Sequence, residues 1–392
     1  MAQDIWDIDT FIAWDSLLTE EEIAVRDSVT KFVQDKCMPH IGDDFEQGRF
    51  RPELAEQLGS LGLLGANLKG YGCAGISSVA YGLACHELEA CDSGLRSFVS
   101  VQTSLTMYAI WQFGSEEQKQ RLLPELASGR KIGCFGLTES SFGSHPGGMR
   151  TIAKKDGDDW VLNGEKMWIT SAQVADVAVV WAQTTDDSKG IRGFIVEKGT
   201  KGFSAQNIPH KLSMRASATG SLHFDEMRIP DENRLPEASG LSSPLACLTN
   251  ARFGVAFGVL GAAKYCLNRA IAYSKERVQY GGPIASKQLI QKKLADMASE
   301  IVKASLLSLH YGRLKDKGKL HSNHVSLLKR NNCRIALDAA REARSILGAN
   351  GITTEYDVLR HAVNLESTLT YEGTEEIHSL VIGHALTGVR AY

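Results

Sequence analysis

The sequence predicts an α+β fold in three parts: an N-terminal helical domain over residues 1–130, a middle antiparallel β-barrel domain over 131–240 and a C-terminal four-helix bundle domain over 241–392. Three observations predict it. Apolar residues recur at helical spacing through the first third of the chain. Near Lys131 the pattern changes to short β-like runs separated by Asn and Asp turns, with no long helix between them. From about Ser242 the helical period returns in longer segments.

Each element has its own signal. Thr19-Glu20-Glu21-Glu22 is a capping-box pattern, a hydroxyl followed three residues later by Glu. Val25, Val29, Phe32 and Val33 follow on one helical face, and Pro39 is expected to stop the run. Further helices are expected over 51–64, 76–90, 98–113 and 116–128. In the middle part, Ala178-Val179-Val180-Trp181 reads as a buried strand. Val161-Leu162 and Met167-Trp168-Ile169 flank Asn163-Gly164, a dipeptide suited to a hairpin turn because it tolerates positive φ. Segments 191–196 and 221–229 supply further strands. In the last part, Ile290, Leu294, Met297 and Ile301 share a helical face. Four helices are expected there, over 247–276, 285–315, 323–348 and 365–388.

Composition excludes several function classes. The 392 residues carry Lys+Arg 43 against Asp+Glu 46, a formal net charge of -3. A nucleic-acid partner would need a basic excess, so none is expected. Eight cysteines are scattered without any Cys-x-x-Cys pair, which reads as reduced, buried thiols. The longest stretch free of Asp, Glu, Lys and Arg, residues 97–115, contains eight Ser, Thr or Gln residues. It reads as a buried helix, and no membrane partner is expected. The start, MAQDIWDID, is acidic and lacks an Arg-rich or apolar leader pattern.

Two motifs invite other readings. Gly70-Tyr71-Gly72-Cys73-Ala74-Gly75 matches the dinucleotide fingerprint, with Asp92 at about the expected 20-residue spacing. That motif works only between a strand and a helix, whereas its flanks here read as helical. A loop between helices is the better reading. His321 and His324 lack a Cys or carboxylate at ligand spacing, so a helix start is preferred and no metal site is expected.

Three segments far apart in the chain together resemble the acyl-CoA dehydrogenase family. They are Phe135-Gly136-Leu137-Thr138-Glu139 with Gly143-Ser144, Trp168-Ile169-Thr170-Ser171, and Arg277 to Gly281 with Gln288, Leu347-Gly348-Ala349-Asn350-Gly351 and Tyr371-Glu372-Gly373-Thr374. Their order matches from about residue 15 to the end, and the three-part layout is that family's fold. Within it, Gly70 to Gly75, Asp92-Ser93-Gly94-Leu95-Arg96-Ser97, Arg215 to Gly220 and Leu328 to Cys333 look like the glutaryl-CoA dehydrogenase subgroup.

The resemblance implies a chemistry. FAD is the expected cofactor, and a CoA thioester the substrate. Glu372 is the implied catalytic base, because a carboxylate raised by burial suits a weakly acidic C–H beside a thioester. Flavin contacts fall on Phe135, Leu137, Thr138, Gly143, Ser144, Trp168, Ile169, Thr170, Arg277, Gln288, Ser345, Leu347, Gly348 and Thr374. Ser144, Leu248, Asn250, Arg252, Tyr371 and Gly373 fall on the acyl-CoA side. Arg96, with Ser97 and Glu89, matches the subgroup's binder for a second carboxylate, which is costly to bury without a cation. Tyr371 is the decarboxylating subgroup's residue, so conversion of glutaryl-CoA to crotonyl-CoA and CO2 is expected. The alternative is a non-decarboxylating glutaryl-CoA or short-chain acyl-CoA dehydrogenase. The resemblance further implies electron transfer flavoprotein as acceptor, a homotetramer, and a bacterial cytoplasmic location, with a processed mitochondrial matrix chain as second choice. The chain departs from the pattern at Ser140, where the family has Pro, at His145, where it has Asp, and at Leu95 and Ser345.

Overall fold

Residues 5–184 and 190–391 are described by the structure, a computed structural model; the MAQD start read above and the final Tyr392 lie outside them. The chain opens with short helices α1 (Ile8–Ile12) and α2 (Trp14–Leu17), followed by α3 (Glu20–Phe32). The Thr19 box closes as expected: Glu22 N–H donates to Thr19 Oγ1 at 3.3 Å and Thr19 N–H to Glu22 Oε2 at 2.9 Å. Pro39 does not stop the run. A π-helical turn, Val33–Cys37, leads into α4 (Met38–Gln47), and Pro39 sits in the first turn of α4. The preceding π turn, in which Met38 N–H bonds the Val33 carbonyl, shifts the hydrogen-bond ladder where the proline lacks an N–H.

Helix α5 (Leu54–Ser60) is shorter than expected, because Gly62 and Gly65 turn left-handed behind it. The glycine-rich 70–75 stretch lies in the loop before α6 (Ser78–Cys91), with no strand beside it. Next come α7 (Ser93–Ser100), a π-helical stretch Val101–Met107, α8 (Tyr108–Phe113) and α9 (Glu116–Ala127). The expected helix 98–113 is therefore three joined pieces, all largely buried through Met107.

The middle strands are β1 (Gly133–Gly136), β2 (Ile152–Asp156), β3 (Asp159–Thr170), β4 (Val177–Thr184), β5 (Ile191–Glu197), β6 (Phe203–Asn207) and β7 (Thr219–Pro230). They form one seven-stranded sheet ordered β1-β4-β2-β3-β7-β6, with β5 on the other edge of β4. Two expectations need correction. The sheet is not wholly antiparallel, since β1 and β2 both run parallel to β4. Nor does Asn163-Gly164 make a hairpin: β3 runs through it, and the hairpin turn lies at Gly157-Asp158, between paired Asp156 and Asp159. Residues 163–164 instead mark a register shift against β7. Positive φ serves a bulge as well as a turn.

The last part holds α10 (Ser242–Glu276), a small ribbon of β8 (Val278–Gln279) and β9 (Gly282–Pro283), then α11 (Gln288–Asp316), α12 (Ser322–Ile346), α13 (Val358–Thr368) and α14 (Glu375–Thr387). The fourth expected helix, 365–388, is two helices with a break at residues 369–374. By length and composition α10 could cross a membrane, but 67% of its most apolar stretch is buried, and it packs against α6, α11 and α12. Small residues allow that approach: a Cβ on Gly261 would stand 1.8 Å from the His86 carbonyl oxygen of α6. The expected imidazole pair caps α12, with His321 accepting from Asn323 N–H at 3.1 Å.

Candidate active site

The break between α13 and α14 carries Tyr371-Glu372-Gly373-Thr374. Glu372 has φ 55 and Gly373 φ 97, so two successive left-handed residues turn the chain before Thr374 caps α14 by accepting from Ile377 N–H at 3.2 Å. A non-glycine residue in that region is strained, which is characteristic of functional positions. Gly373 has little room for a side chain, as its Cβ would meet His378 Nε2 at 3.0 Å and Arg252 Nη2 at 3.3 Å.

Both carbonyls of this turn are held by cations. Arg252 Nε, from α10, donates to the Glu372 oxygen at 2.6 Å. Lys329 Nζ, from α12, donates to the Gly373 oxygen at 2.8 Å. The Glu372 Oε2 atom is buried and has no hydrogen-bond partner among the described residues. Burial pushes its carboxyl above the usual carboxylate range, against the opposing pull of Arg96, Arg252 and Lys329. His378, behind the turn, is buried with neither ring nitrogen in a hydrogen bond among the described residues, and it is pushed down to about 3, chiefly by burial. It stays neutral.

Arg96 stands beside the turn, 1% exposed, and Glu89 is 0% exposed. Arg96 Nε donates to Glu89 Oε2 at 2.5 Å, and Nη2 reaches Glu89 Oε1 at 3.4 Å and the Tyr371 hydroxyl. Its Nη1 has only a long contact of 3.5 Å to Ser100 Oγ. Local sequence explains the placement. Asp92 caps α7 by accepting from Gly94 N–H at 2.7 Å, and it also accepts from Arg360 at 2.7 Å and Asn364 at 2.8 Å, both on α13. One buried carboxylate thus clasps the helix that carries Arg96 to the helix that leads into Tyr371. Ser97 is buried on the same α7.

A second group lies on the sheet. Trp168 has φ 63 and is 58% exposed at a register shift between Lys166 and Ile169. The Met167 N–H donates to the Thr138 carbonyl at 2.8 Å, which sets Thr138 beside the Trp168 segment. Phe135, Leu137 and Ile169 are buried beneath, while Thr170 is half-buried. Gly143 and Ser144 are exposed in the following loop. Glu139 anchors that loop, accepting from Arg150 N–H at 2.6 Å, Thr151 N–H at 2.9 Å and Lys166 Nζ at 2.8 Å. Ser140 donates to Glu165 at 2.6 Å, a hydrogen bond that a proline could not make. His145 packs edge-on to Phe142.

Among the described residues, the remaining candidates share no hydrogen bond with Glu372, Arg96 or Lys329. Arg277 and Gln288 are exposed at the end of α10 and the start of α11. Ser345 accepts from Lys293 at 2.9 Å, Leu347 is buried and Gly348 is exposed. On the α10 side, Leu248 is partly buried and Asn250 accepts from Lys315 Nζ at 2.6 Å. Sequence reasoning assigned no role to Lys329, Lys315 or His378. Lys329 stood inside a quoted subgroup stretch, but a lysine in an amphipathic helix reads as solvated.

This architecture and these segments agree with known proteins. The family models for the N-terminal, middle and C-terminal domains of acyl-CoA dehydrogenase match residues 19–130, 134–227 and 238–387. A short-chain specific acyl-CoA dehydrogenase of Clostridium acetobutylicum is 37% identical over 93% of this chain and 97% of its own length. The crystal structure of glutaryl-CoA dehydrogenase from Mycobacterium smegmatis is 57% identical, with a TM-score of 0.97 over 99% of this chain and all of its own. A second glutaryl-CoA dehydrogenase structure from that organism, in complex with FADH2, is 52% identical, with the same TM-score and coverage. The chain belongs to the acyl-CoA dehydrogenase family and has its three-domain fold.

Proposed function

We propose that this enzyme oxidises glutaryl-CoA and releases crotonyl-CoA and CO2, with FAD as cofactor and electron transfer flavoprotein as acceptor. The observation that carries the substrate choice is the fully buried Arg96, bonded to Tyr371 next to Glu372. A straight acyl tail needs no cation in its pocket; a second carboxylate does. The 57% identity to a glutaryl-CoA dehydrogenase supports the same reading.

The residues fit a flavin. Trp168 offers an exposed aromatic face, with Thr138 and Thr170 beside it, and Arg277 is free to meet a pyrophosphate. Gln288, Ser345, Leu347 and Gly348 would serve the adenosine side, across the subunit boundary of a homotetramer, and Thr374 would touch the ring. Bound FAD supplies the acceptor for the two electrons that leave with the β-hydrogen. Glu372 takes the α-proton, its unpartnered Oε2 being free to do so. Its own N–H is available to the thioester oxygen. After oxidation the γ-carboxylate leaves as CO2, and its electron pair delocalises into the enoyl thioester. Protonated Glu372 returns its proton to that anion. Tyr371 and Glu89 already occupy Arg96, so Arg96 holds the carboxylate loosely enough for CO2 to depart. Ser97 and Ser144 would contact the substrate, with Leu248, Asn250 and Arg252 along the CoA chain. The bacterial cytoplasm is the proposed location.

Anaerobic addition of glutaryl-CoA tests this: the flavin should bleach and CO2 appear in one turnover. Accumulation of glutaconyl-CoA without CO2 would overturn the decarboxylating half. A short-chain acyl-CoA dehydrogenase is the second reading, favoured by the 37% identity to a short-chain specific relative. It predicts bleaching by butyryl-CoA alone.

A further inference from the structure

We propose that Lys329 is a positioning residue: its ammonium holds the left-handed Glu372-Gly373 turn and, with Arg252, supplies the positive field that the carboxylate faces. The inference rests on Glu372 being the base.

Lys329 is 0% exposed, an unusual state for lysine. Among the described residues its ammonium has one hydrogen bond, to the Gly373 oxygen, and it lies 6.0 Å from the centre of the Tyr371 ring. Among the described residues no carboxylate stands within ion-pair distance of it, and burial lowers its pKa. Holding a carbonyl needs only a neutral donor, and burying a charge is costly. A charge kept here therefore has an effect beyond the hydrogen bond.

The surrounding groups define that effect. Arg96 from α7, the first of the three cationic pulls on Glu372, is ion-paired with Glu89 from α6. Tyr371 and Cys333 are both held protonated by burial, and His378 of α14 is neutral. Arg252 and Lys329 add to that pull, and among the described residues each is bonded to a carbonyl and to no carboxylate. They grip consecutive carbonyls from two helices packed against each other, α10 and α12. Losing the Lys329 charge should raise the Glu372 carboxyl further. Losing its bond should loosen the turn and impair the chemical step more than binding.

The test compares Lys329→Met, Lys329→Gln and Lys329→Arg in the FAD-loaded enzyme. For Lys329→Met, kcat should fall about 10- to 100-fold with KM changed less than about threefold. The acid limb of the pH profile should move to higher pH. Amide exchange at residues 371–375 should quicken, a readout that needs no turnover. Lys329→Gln should restore slow exchange but leave the acid limb displaced. Lys329→Arg should restore both. A folded Lys329→Met enzyme with unchanged kcat, pH profile and exchange overturns the proposal. If Lys329→Met does not fold, an undisplaced acid limb in Lys329→Gln overturns the charge role. If the wild type oxidises no acyl-CoA, the assignment of Glu372 fails, and exchange in the three variants still decides whether Lys329 holds the turn.

Discussion

Around Glu372, side chains from α6, α7, α10 and α12 converge on one turn: Arg96 binds Glu89 and Tyr371, Arg252 binds the Glu372 carbonyl, and Lys329 binds that of Gly373. Around Trp168 the sheet presents a ring that is 58% exposed, with Thr138 bonded to the adjoining Met167. The first region is organised by the protein's own charges. The second leaves apolar surface in water that a bound ring would cover. Substitutions in the first should therefore disturb chemistry and folding together. In the second they should disturb cofactor retention and little else.

The largest effect should come from Glu372→Gln. A positioned base contributes roughly 10²- to 10⁴-fold, so single-turnover bleaching should slow by about that factor with FAD still bound. Bleaching at the wild-type rate would move the base elsewhere. Arg96→Ala should follow, with a substrate signature. Turnover of glutaryl-CoA should fall about 100-fold or more relative to butyryl-CoA, because a site that bonds a polar group discriminates against its absence. Glu89 would be left buried and unpaired, at a cost of about 3–5 kcal/mol of stability. Equal losses on both substrates would remove Arg96 from substrate choice. Trp168→Ala should leave apo stability within about 0.5 kcal/mol, since the ring is exposed. It should weaken FAD about tenfold, with Trp168→Phe intermediate. Unchanged FAD affinity would break the contrast between the two regions.

The same contrast explains what was legible in advance. Thr19-Glu20-Glu21-Glu22 is a local signal, and its box forms as read. The α–β–α order was equally visible, because helical and strand periods are local properties. The parallel pairing of β1 and β2 with β4 was not, since it joins segments far apart in sequence. The break at residues 369–374 was hidden because both flanks keep helical spacing, and Gly373 with the cap residue Thr374 is a short signal inside it. Asn163-Gly164 signalled positive φ correctly, but a bulge and a hairpin share that requirement. The motifs picked out Arg96, Tyr371 and Glu372 by resemblance. The partners that fix them, Asp92 to Arg360 and Lys329 to Gly373, depend on tertiary packing that no single segment encodes.

The smallest predicted effect is one of stability, and its sign runs against habit. A carboxylate with an ion-pair partner is usually lowered on folding and stabilises the protein above its unfolded pKa. Glu372 is raised, chiefly by burial, although Arg96, Arg252 and Lys329 pull the other way. The folded state therefore binds the proton more tightly than the unfolded chain does. Relative to that protonated state, stability is fully present below the ordinary carboxylate pKa and is lost as pH rises through the raised value. At neutral pH that contribution is therefore diminished. Glu372→Gln mimics the protonated carboxyl, so its Tm should exceed the wild type's at neutral pH. The gap should close as pH falls below the usual carboxylate range. Apo-protein melting across that range reads the difference without any turnover. A variant less stable than wild type at neutral pH would mean that the three cations outweigh burial. The interior would then favour the ionised form of Glu372.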